Sequence, residues 1–270
     1  MKLFVLNAMP DGDTVRLEGR DYHYLVNVRR LASGEFFPAV LPNGEETLIQ
    51  MLSAERGVLT GKVSKDRASF GFTQKHEGSF SISLPPIILF QALPKAGKMD
   101  LIVRQAAEGG IAEIVPFVSE FSVGGSPAKE FGQKFTRWQR IIKEARQQSG
   151  SKTATSICLP KTTNELIEYW KKIKKSDTLG LLFHHQGIEQ ESLHGYLNNN
   201  PNAVTLAVGP EGGFSNTEVC LFIENGFKPF TIGDTVLRTE TAALYFAAAV
   251  KILLLERDSW ELKQTKESAG

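Results

Sequence analysis

Two patterns of apolar and polar positions succeed one another along this chain, and they predict two kinds of structure. Up to about Phe72 there are short β-like runs, "KLFVL", "TVRLEG", "EFFPAV", "ETLIQML" and "GVLTGKVS", separated by Asp-Gly, Ser-Gly and Asn-Gly turn signals. Turns at this spacing predict a small β-barrel or sandwich, interrupted by a short helix in "DYHYLVNVRRL". The polar stretch "TQKHEGSFSISLPP", closed by two prolines, reads as a linker. The expected division is therefore a β module over residues 1–72, a linker over 73–84 and a second domain over 85–270.

Beyond the linker, buried runs alternate with amphipathic ones. "IILFQAL" and "IAEIVPFV" read as strands, and "KMDLIVRQAAEGG" between them carries Met99, Ile102, Val103 and Ala106 at helical spacing before a glycine stop. "KFTRWQRIIKEARQQSG" is a second helix, with Phe135, Trp138, Ile142 and Ala145 inward and Lys134, Arg137, Arg140 and Lys143 on its outer face. Thr162 with Glu165 and Ser215 with Glu218 are capping boxes that open two further helices. "TLGLLF", "NAVTLAV" and "KPFTIG" supply strands, and a long helix runs from about Thr241 to Glu256. Strands alternating with helices predict an α/β domain with a mostly parallel sheet, which binds ligands at the carboxyl ends of its strands.

Composition narrows the possible partners. A hydrophobic content of 41% with 23% charged residues is that of a globular protein, which sets disorder and fibrous classes aside. With 31 Lys+Arg against 30 Asp+Glu there is no global basic field, so a nucleic-acid partner must be held by local patches. The β module holds nine residues of each sign, yet sets Arg29 beside Arg30. Cys158 and Cys220 form no C-x-x-C, which points away from disulfides and cysteine metal sites and toward a reducing cytoplasm. The longest apolar run, "AALYFAAAV" then "ILLL", is shorter than the roughly 18 residues read as a membrane span, so no membrane partner is expected.

Two loops hold the candidate chemistry. "GPEGG", Gly209 to Gly213, follows a strand and precedes a helix, where glycines let backbone approach a ligand closely. Glu211 in its middle argues against phosphate, and neither G-x-G-x-x-G nor G-x-x-x-x-G-K-[ST] occurs. "IGDTVLRTETAAL" brings Arg238, Thr239, Glu240 and Thr241 to the start of the long helix. Together the loops predict a pocket with backbone polar groups, one arginine and two acids, suited to a neutral or cationic nucleoside-like ligand. His184 and His185 follow "TLGLLF" without the companions of a metal motif, so no metal is expected.

"VGPEGGFSNTE" followed by "IGDTVLRTETAAL" resembles the signature of the RsmE family, the small-subunit ribosomal RNA uridine N3 methyltransferases of the SPOUT class. The similarity extends through "LPKAGKMDLIVRQAAEGGIAEIVPFVSE", "RWQRIIKEARQQSG" and "HYLVNVRRLASGE", nearly the whole chain. The resemblance implies an N-terminal PUA-like β-barrel that helps bind RNA, a trefoil-knotted methyltransferase domain, a homodimer, and S-adenosylmethionine as methyl donor. It places Gly209, Pro210, Glu211, Gly212 and Gly213 on one wall of the cofactor site, Ile232, Gly233, Leu237, Arg238 and Thr239 on another, and the region of His184 on a third. The chain departs from the family at Phe121, where arginine is common, and at Gln105, Gln147, Ser151 and Thr235.

Methylation at N3 needs negative charge on that nitrogen, which spreads onto the flanking carbonyl oxygens. Arg238 is the candidate cation for that charge, with Glu211 or Glu240 orienting the site. Because N3 lies on the pairing edge, the target base must be unpaired or splayed out. Arg29, Arg30, Lys134, Arg137 and Arg140 are candidate phosphate contacts on ribosomal RNA or an assembled small subunit, although the same residues also read as ordinary solvated faces. A SPOUT enzyme with another acceptor and a non-catalytic RNA-binding protein are the alternatives; retention of both "GPEGG" and "LRTETA" argues against the second.

Overall fold

The computed structural model of this chain describes residues 4–64, 84–95, 97–122, 127–184, 190–233 and 235–267. The expected linker over 73–84 lies almost wholly outside them. The chain divides into two compact units, Met1–Ser81 with Arg146–Ala154, and Ile82–Ala145 with Thr155–Gly270.

In the first unit, β1 (Phe4–Val5), β2 (Thr14–Glu18), β3 (Phe36–Val40), β4 (Glu46–Glu55) and β5 (Val58–Ser64) form a sheet in the order β1-β3-β4-β5-β2. Only the β1–β3 pair is parallel, and a register shift between Met51 and Ser53 bends β4. Strict alternation in β2 sends Val15 and Leu17 inward, where they meet Phe4, Leu25, Phe37, Ile49 and Leu59. The curled sheet is consistent with the expected PUA-like barrel. The helix expected in "DYHYLVNVRRL" starts earlier, as α1 (Gly19–Tyr22), and widens to π-helix over His23–Val28. Arg30, at φ 57°, ends it in the left-handed region.

The second unit holds β6 (Ile87–Ala92), α2 (Lys98–Gly109), β7 (Glu113–Val118), α3 (Pro127–Ser149) up to Ala145, β8 (Ser156–Ile157), β9 (Lys161–Thr162), α4 (Thr163–Ile173) and β10 (Thr178–Phe183). These are followed by α5 (Leu193–Leu197), β11 (Ala203–Val208), α6 (Asn216–Glu224), β12 (Phe227–Phe230) and α7 (Thr239–Glu267). Every strand pair is parallel, in the order β12-β10-β11-β6-β7-β8 with β9 also on β7. Successive strand residues serve opposite faces: Ile87 and Leu89 pack with Ile102, Trp138 and Phe246, whereas Phe90 and Ala92 pack with Trp170, Phe222 and Phe227. Burial on both faces is why these strands read as continuous apolar runs.

The helix ends follow their local chemistry. Both capping boxes form, at Thr162/Glu165 and Ser215/Glu218, and Gly110 closes α2 in the left-handed conformation. Helix α7 outlasts the expected end at Glu256 because "RDSWELKQTKE" contains neither proline nor glycine to stop it. Among the described residues no helix is long and apolar enough to cross a membrane.

Candidate active site

The chain leaves the carboxyl end of β6 toward β7 and that of β11 toward β12, in opposite directions along the sheet. Open parallel sheets bind ligands at such a switch. The "GPEGG" loop stands here, directly after β11. It doubles back tightly: a Cβ on Gly209 would come 3.1 Å from the Gly213 carbonyl carbon, and Gly213 itself has φ 71°. The Gly213 N–H closes the turn on the Pro210 carbonyl at 2.9 Å.

The second loop is fastened to the first through buried polar groups. The Thr239 hydroxyl donates to the Gly209 carbonyl at 2.6 Å, and the Gln91 amide at the end of β6 donates to Thr239 Oγ1 at 3.1 Å. Gln91 also donates to the Ala92 carbonyl, and both Gln91 and Thr239 are buried. Groups so placed are costly to leave unpaired, so the chain of bonds fixes the spacing of the two loops.

Glu211 is held from outside the loop. Its carboxylate accepts the Lys95 N–H at 3.1 and 3.2 Å and lies 2.9 Å from Lys98 Nζ, which also reaches Glu240 at 3.3 Å. Burial opposes ionisation of Glu211, but the Lys98 ammonium and the N–H groups of Glu211 and Lys95 outweigh it and hold the carboxyl below the usual glutamate value. The bond to Glu211 raises the Lys98 pKa; desolvation offsets part of this and Glu240 adds to it. One ammonium thus joins the starts of α2 and α7 to the glycine loop.

Between these walls lies a cavity of about 770 Å³, counting the space open at its mouth. His184, Gly209, Pro210, Glu211, Gly212 and Gly213 border it, as do Leu237 and Thr239. His184 is buried, and its N–H donates to the Phe230 carbonyl at 3.1 Å. Ile232, Gly233 and Arg238 do not border the cavity: Ile232 packs against the core and Arg238 is exposed. The Arg238 carbonyl accepts the N–H groups of Thr241 and Ala242 at 2.9 and 2.7 Å, starting α7. His185 lies outside the described residues. Phe183, Val236 and Leu237 supply apolar surface, and the lining contains one carboxylate and, among the described residues, no lysine or arginine. Such a lining repels phosphates and suits an uncharged or cationic group presented to backbone amides. No cluster of three metal-ligating side chains occurs among the described residues.

The candidate RNA contacts lie on two elements, one in each unit. Arg29 is half-buried and Arg30 exposed, at the end of the π-helical segment. Lys134, Arg137 and Arg140 are exposed on α3. Arg137 is already engaged, 2.5 Å from Asp100, whose other partner is the Trp138 indole N–H, and Arg140 pairs with Glu144 at 3.6 Å.

Three supporting residues escaped sequence reasoning. Gln91 carried a signal, as an amide inside the apolar run "IILFQAL". Lys98 gave none, because its partners lie in distant segments. Glu218 was read only as a cap, yet besides the Ser215 N–H it accepts Ser119 Oγ at 3.0 Å, the Glu120 N–H at 3.0 Å and Thr163 Oγ1 at 3.4 Å.

Comparison with known proteins agrees with this architecture. The family model for the RNA methyltransferase domain matches residues 82–251. A ribosomal RNA small subunit methyltransferase E from Synechocystis is 30% identical over 243 residues, spanning 89% of this chain and 74% of the relative. A ribosomal RNA small subunit methyltransferase E 2 from Borreliella burgdorferi is 28% identical, over 94% and 98% of the two chains. The crystal structure of a ribosomal RNA small subunit methyltransferase E from Neisseria gonorrhoeae, bound to S-adenosyl methionine, superposes with a TM-score of 0.74 at 25% identity, covering 94% of this chain and 98% of its own. This chain therefore belongs to the RNA methyltransferase domain family, within the group of ribosomal RNA small subunit methyltransferases E.

Proposed function

We propose that this protein transfers a methyl group from S-adenosylmethionine to N3 of a uridine in small-subunit ribosomal RNA. The observation that carries the reading is the cavity at the ends of β10, β11 and β12: a glycine loop and apolar side chains, with one carboxylate and no lysine or arginine among its described lining. That donor set fits a nucleoside with a positive sulfonium and no phosphate. The Gly209–Gly213 loop and Leu237 would hold the cofactor, and the bound sulfonium supplies an activated methyl group. The solved Neisseria relative was found with S-adenosyl methionine, and the relatives' names specify small-subunit ribosomal RNA.

The chain's own residues then have definite tasks. Gln91 and Thr239 fix the loop spacing, while Lys98 holds Glu211. Arg238, exposed beside the cavity wall residues Leu237 and Thr239, is the cation for charge developing on the uracil oxygens. Arg29, Arg30, Lys134 and Arg140 serve as phosphate contacts, and Arg137 does so where it can leave Asp100. The reading extends to a trefoil knot in the methyltransferase domain, a homodimer and a cytoplasmic setting. Leu101 of α2 and Leu244, Tyr245, Ile252 and Leu255 of α7 are exposed apolar side chains fit for that dimer contact.

Transfer of labelled methyl groups to ribosomal RNA and to assembled small subunits, followed by nucleoside analysis, tests the reading. 3-Methyluridine is the expected product. Label on a ribose hydroxyl or another base would replace the acceptor, and failure to bind S-adenosylmethionine would overturn the reading.

A further inference from the structure

We propose that Phe121 is a stacking platform for an unpaired base of the RNA substrate, next to the one that is methylated. The proposal rests on the RNA methyltransferase reading and deepens it.

Phe121 is 46% exposed, yet the turn that carries it is tightly fixed. The Ser122 N–H donates to the Ser119 carbonyl at 2.9 Å and the Ser119 N–H to Ser122 Oγ at 3.1 Å. The Ser119 hydroxyl and the Glu120 N–H both donate to Glu218, a buried carboxylate at the start of α6. Phe121 also backs onto the glycine loop, since a Cβ on Gly212 would lie 2.9 Å from Phe121 Cβ and 3.4 Å from its Cγ. The residue is therefore placed against the active-site loop by bonds on both sides.

Phe121 stands apart from the proposed cofactor cavity. That cavity is bordered by the ends of β10, β11 and β12, and Phe121 is not part of its lining. An open concavity beside it, which Ser119, Glu120 and Ser122 help to line, carries Thr163, Asn164 and Thr217. Hydroxyls and an amide suit the polar edges of a base, and the carboxylates of Glu120 and Glu218, which also line it, disfavour a phosphate at the same place. An exposed aromatic ring on a fixed turn, beside hydroxyl and amide groups, is how single-stranded bases are received, because every base offers a π-face.

The test uses the full-length protein with ribosomal RNA and with small subunits. Phe121→Ala should raise the KM for RNA about tenfold or more, the scale of one lost base stack, with a smaller change in kcat and unaltered calorimetric affinity for S-adenosylmethionine. Phe121→Trp should restore the parental KM, and Phe121→Leu should not. Equal rescue by leucine, cofactor affinity falling in step with activity, or a shift from dimer to monomer in Phe121→Ala would each overturn the proposal, assigning the ring to apolar packing, loop bracing or a subunit contact. The parental protein separates the two levels: no transfer by it sinks the functional reading and this proposal with it, whereas transfer with a normal KM in Phe121→Leu sinks this proposal alone.

Discussion

Thr239 donates its hydroxyl to the carbonyl oxygen of Gly209 at 2.6 Å, joining the first residue of α7 to the first residue of the glycine loop across 30 positions of sequence. The bond is buried and continues into Gln91, so the two cavity walls share one short polar chain. Thr239→Val keeps the shape and removes the hydroxyl, leaving the Gly209 carbonyl and the Gln91 amide without their partner. Loss of a buried partner of this kind costs roughly 1–3 kcal/mol. Urea denaturation should show a lowered midpoint with unchanged slope, and calorimetry should show weakened S-adenosylmethionine binding. Thr239→Ser, which retains the hydroxyl, should stay near the parental values.

Glu211 and Lys98 form the second brace, and its pH dependence has a definite sign. The Glu211 carboxyl is held below its ordinary value of 4.5, so its contribution is complete above that value and is lost as pH falls through the depressed pKa. The Lys98 ammonium is raised above 10.5, so its contribution is complete below that value and is lost as pH rises through the raised pKa. Cofactor affinity should therefore be level from about pH 5 to pH 10, as far as this pair decides it. Glu211→Gln and Lys98→Met should each weaken binding, by less than about tenfold for so exposed a pair. Their double variant should lose less than the sum of both, because they report one interaction. Full additivity, or an acid limb in the affinity profile that persists unchanged in Glu211→Gln, would remove the pair from the loop's support.

The strands of the parallel sheet were legible because both their faces are buried, which leaves uninterrupted apolar runs such as "TLGLLF" and "NAVTLAV" between polar helices. Capping boxes are equally local, since donor and acceptor lie three residues apart, and both formed as expected. The cavity-bordering loops were legible as glycine and charge patterns at strand ends. Their fastening was not: Gln91 meets Thr239 across 148 positions and Lys95 meets Glu211 across 116, separations at which no periodicity operates. The ion pair of Arg137 was hidden for the same reason. It is solvated on a helical wheel and in the fold alike, but only the fold shows Asp100 of another helix beside it. Helix α7 was read as too short because amphipathicity fades along it while helix propensity does not.

Glu218 supports two elements at once. Its carboxylate accepts four hydrogen bonds, from Ser119, Glu120, Thr163 and Ser215, at the N-terminus of α6, where the helix dipole favours negative charge. Glu218→Gln preserves the volume but turns an amide NH2 toward groups that themselves donate. The expected cost is about 1–3 kcal/mol for the donors left unsatisfied, read as a lowered melting temperature. Because the same carboxylate fixes the turn that carries Phe121, the KM for RNA should rise more than the Kd for S-adenosylmethionine. A variant with parental stability would show that water replaces the lost acceptor at no cost.

Arg238 separates backbone work from side-chain work. Its carbonyl caps the first turn of α7, a function any residue with the same backbone performs, while its guanidinium is exposed. Arg238→Ala should therefore leave the melting temperature and S-adenosylmethionine affinity close to parental. If the guanidinium meets charge on the uracil oxygens only as that charge develops, the loss falls on kcat rather than on the KM for either substrate. Removal of one such donor costs on the order of 10²–10³ in kcat. Arg238→Lys, a point charge without the planar fork, should recover part of that rate. Single-turnover methyl transfer with small subunits distinguishes the outcomes. A large rise in the KM for RNA at constant kcat would make Arg238 a phosphate contact, and an unchanged rate would remove it from the reaction altogether.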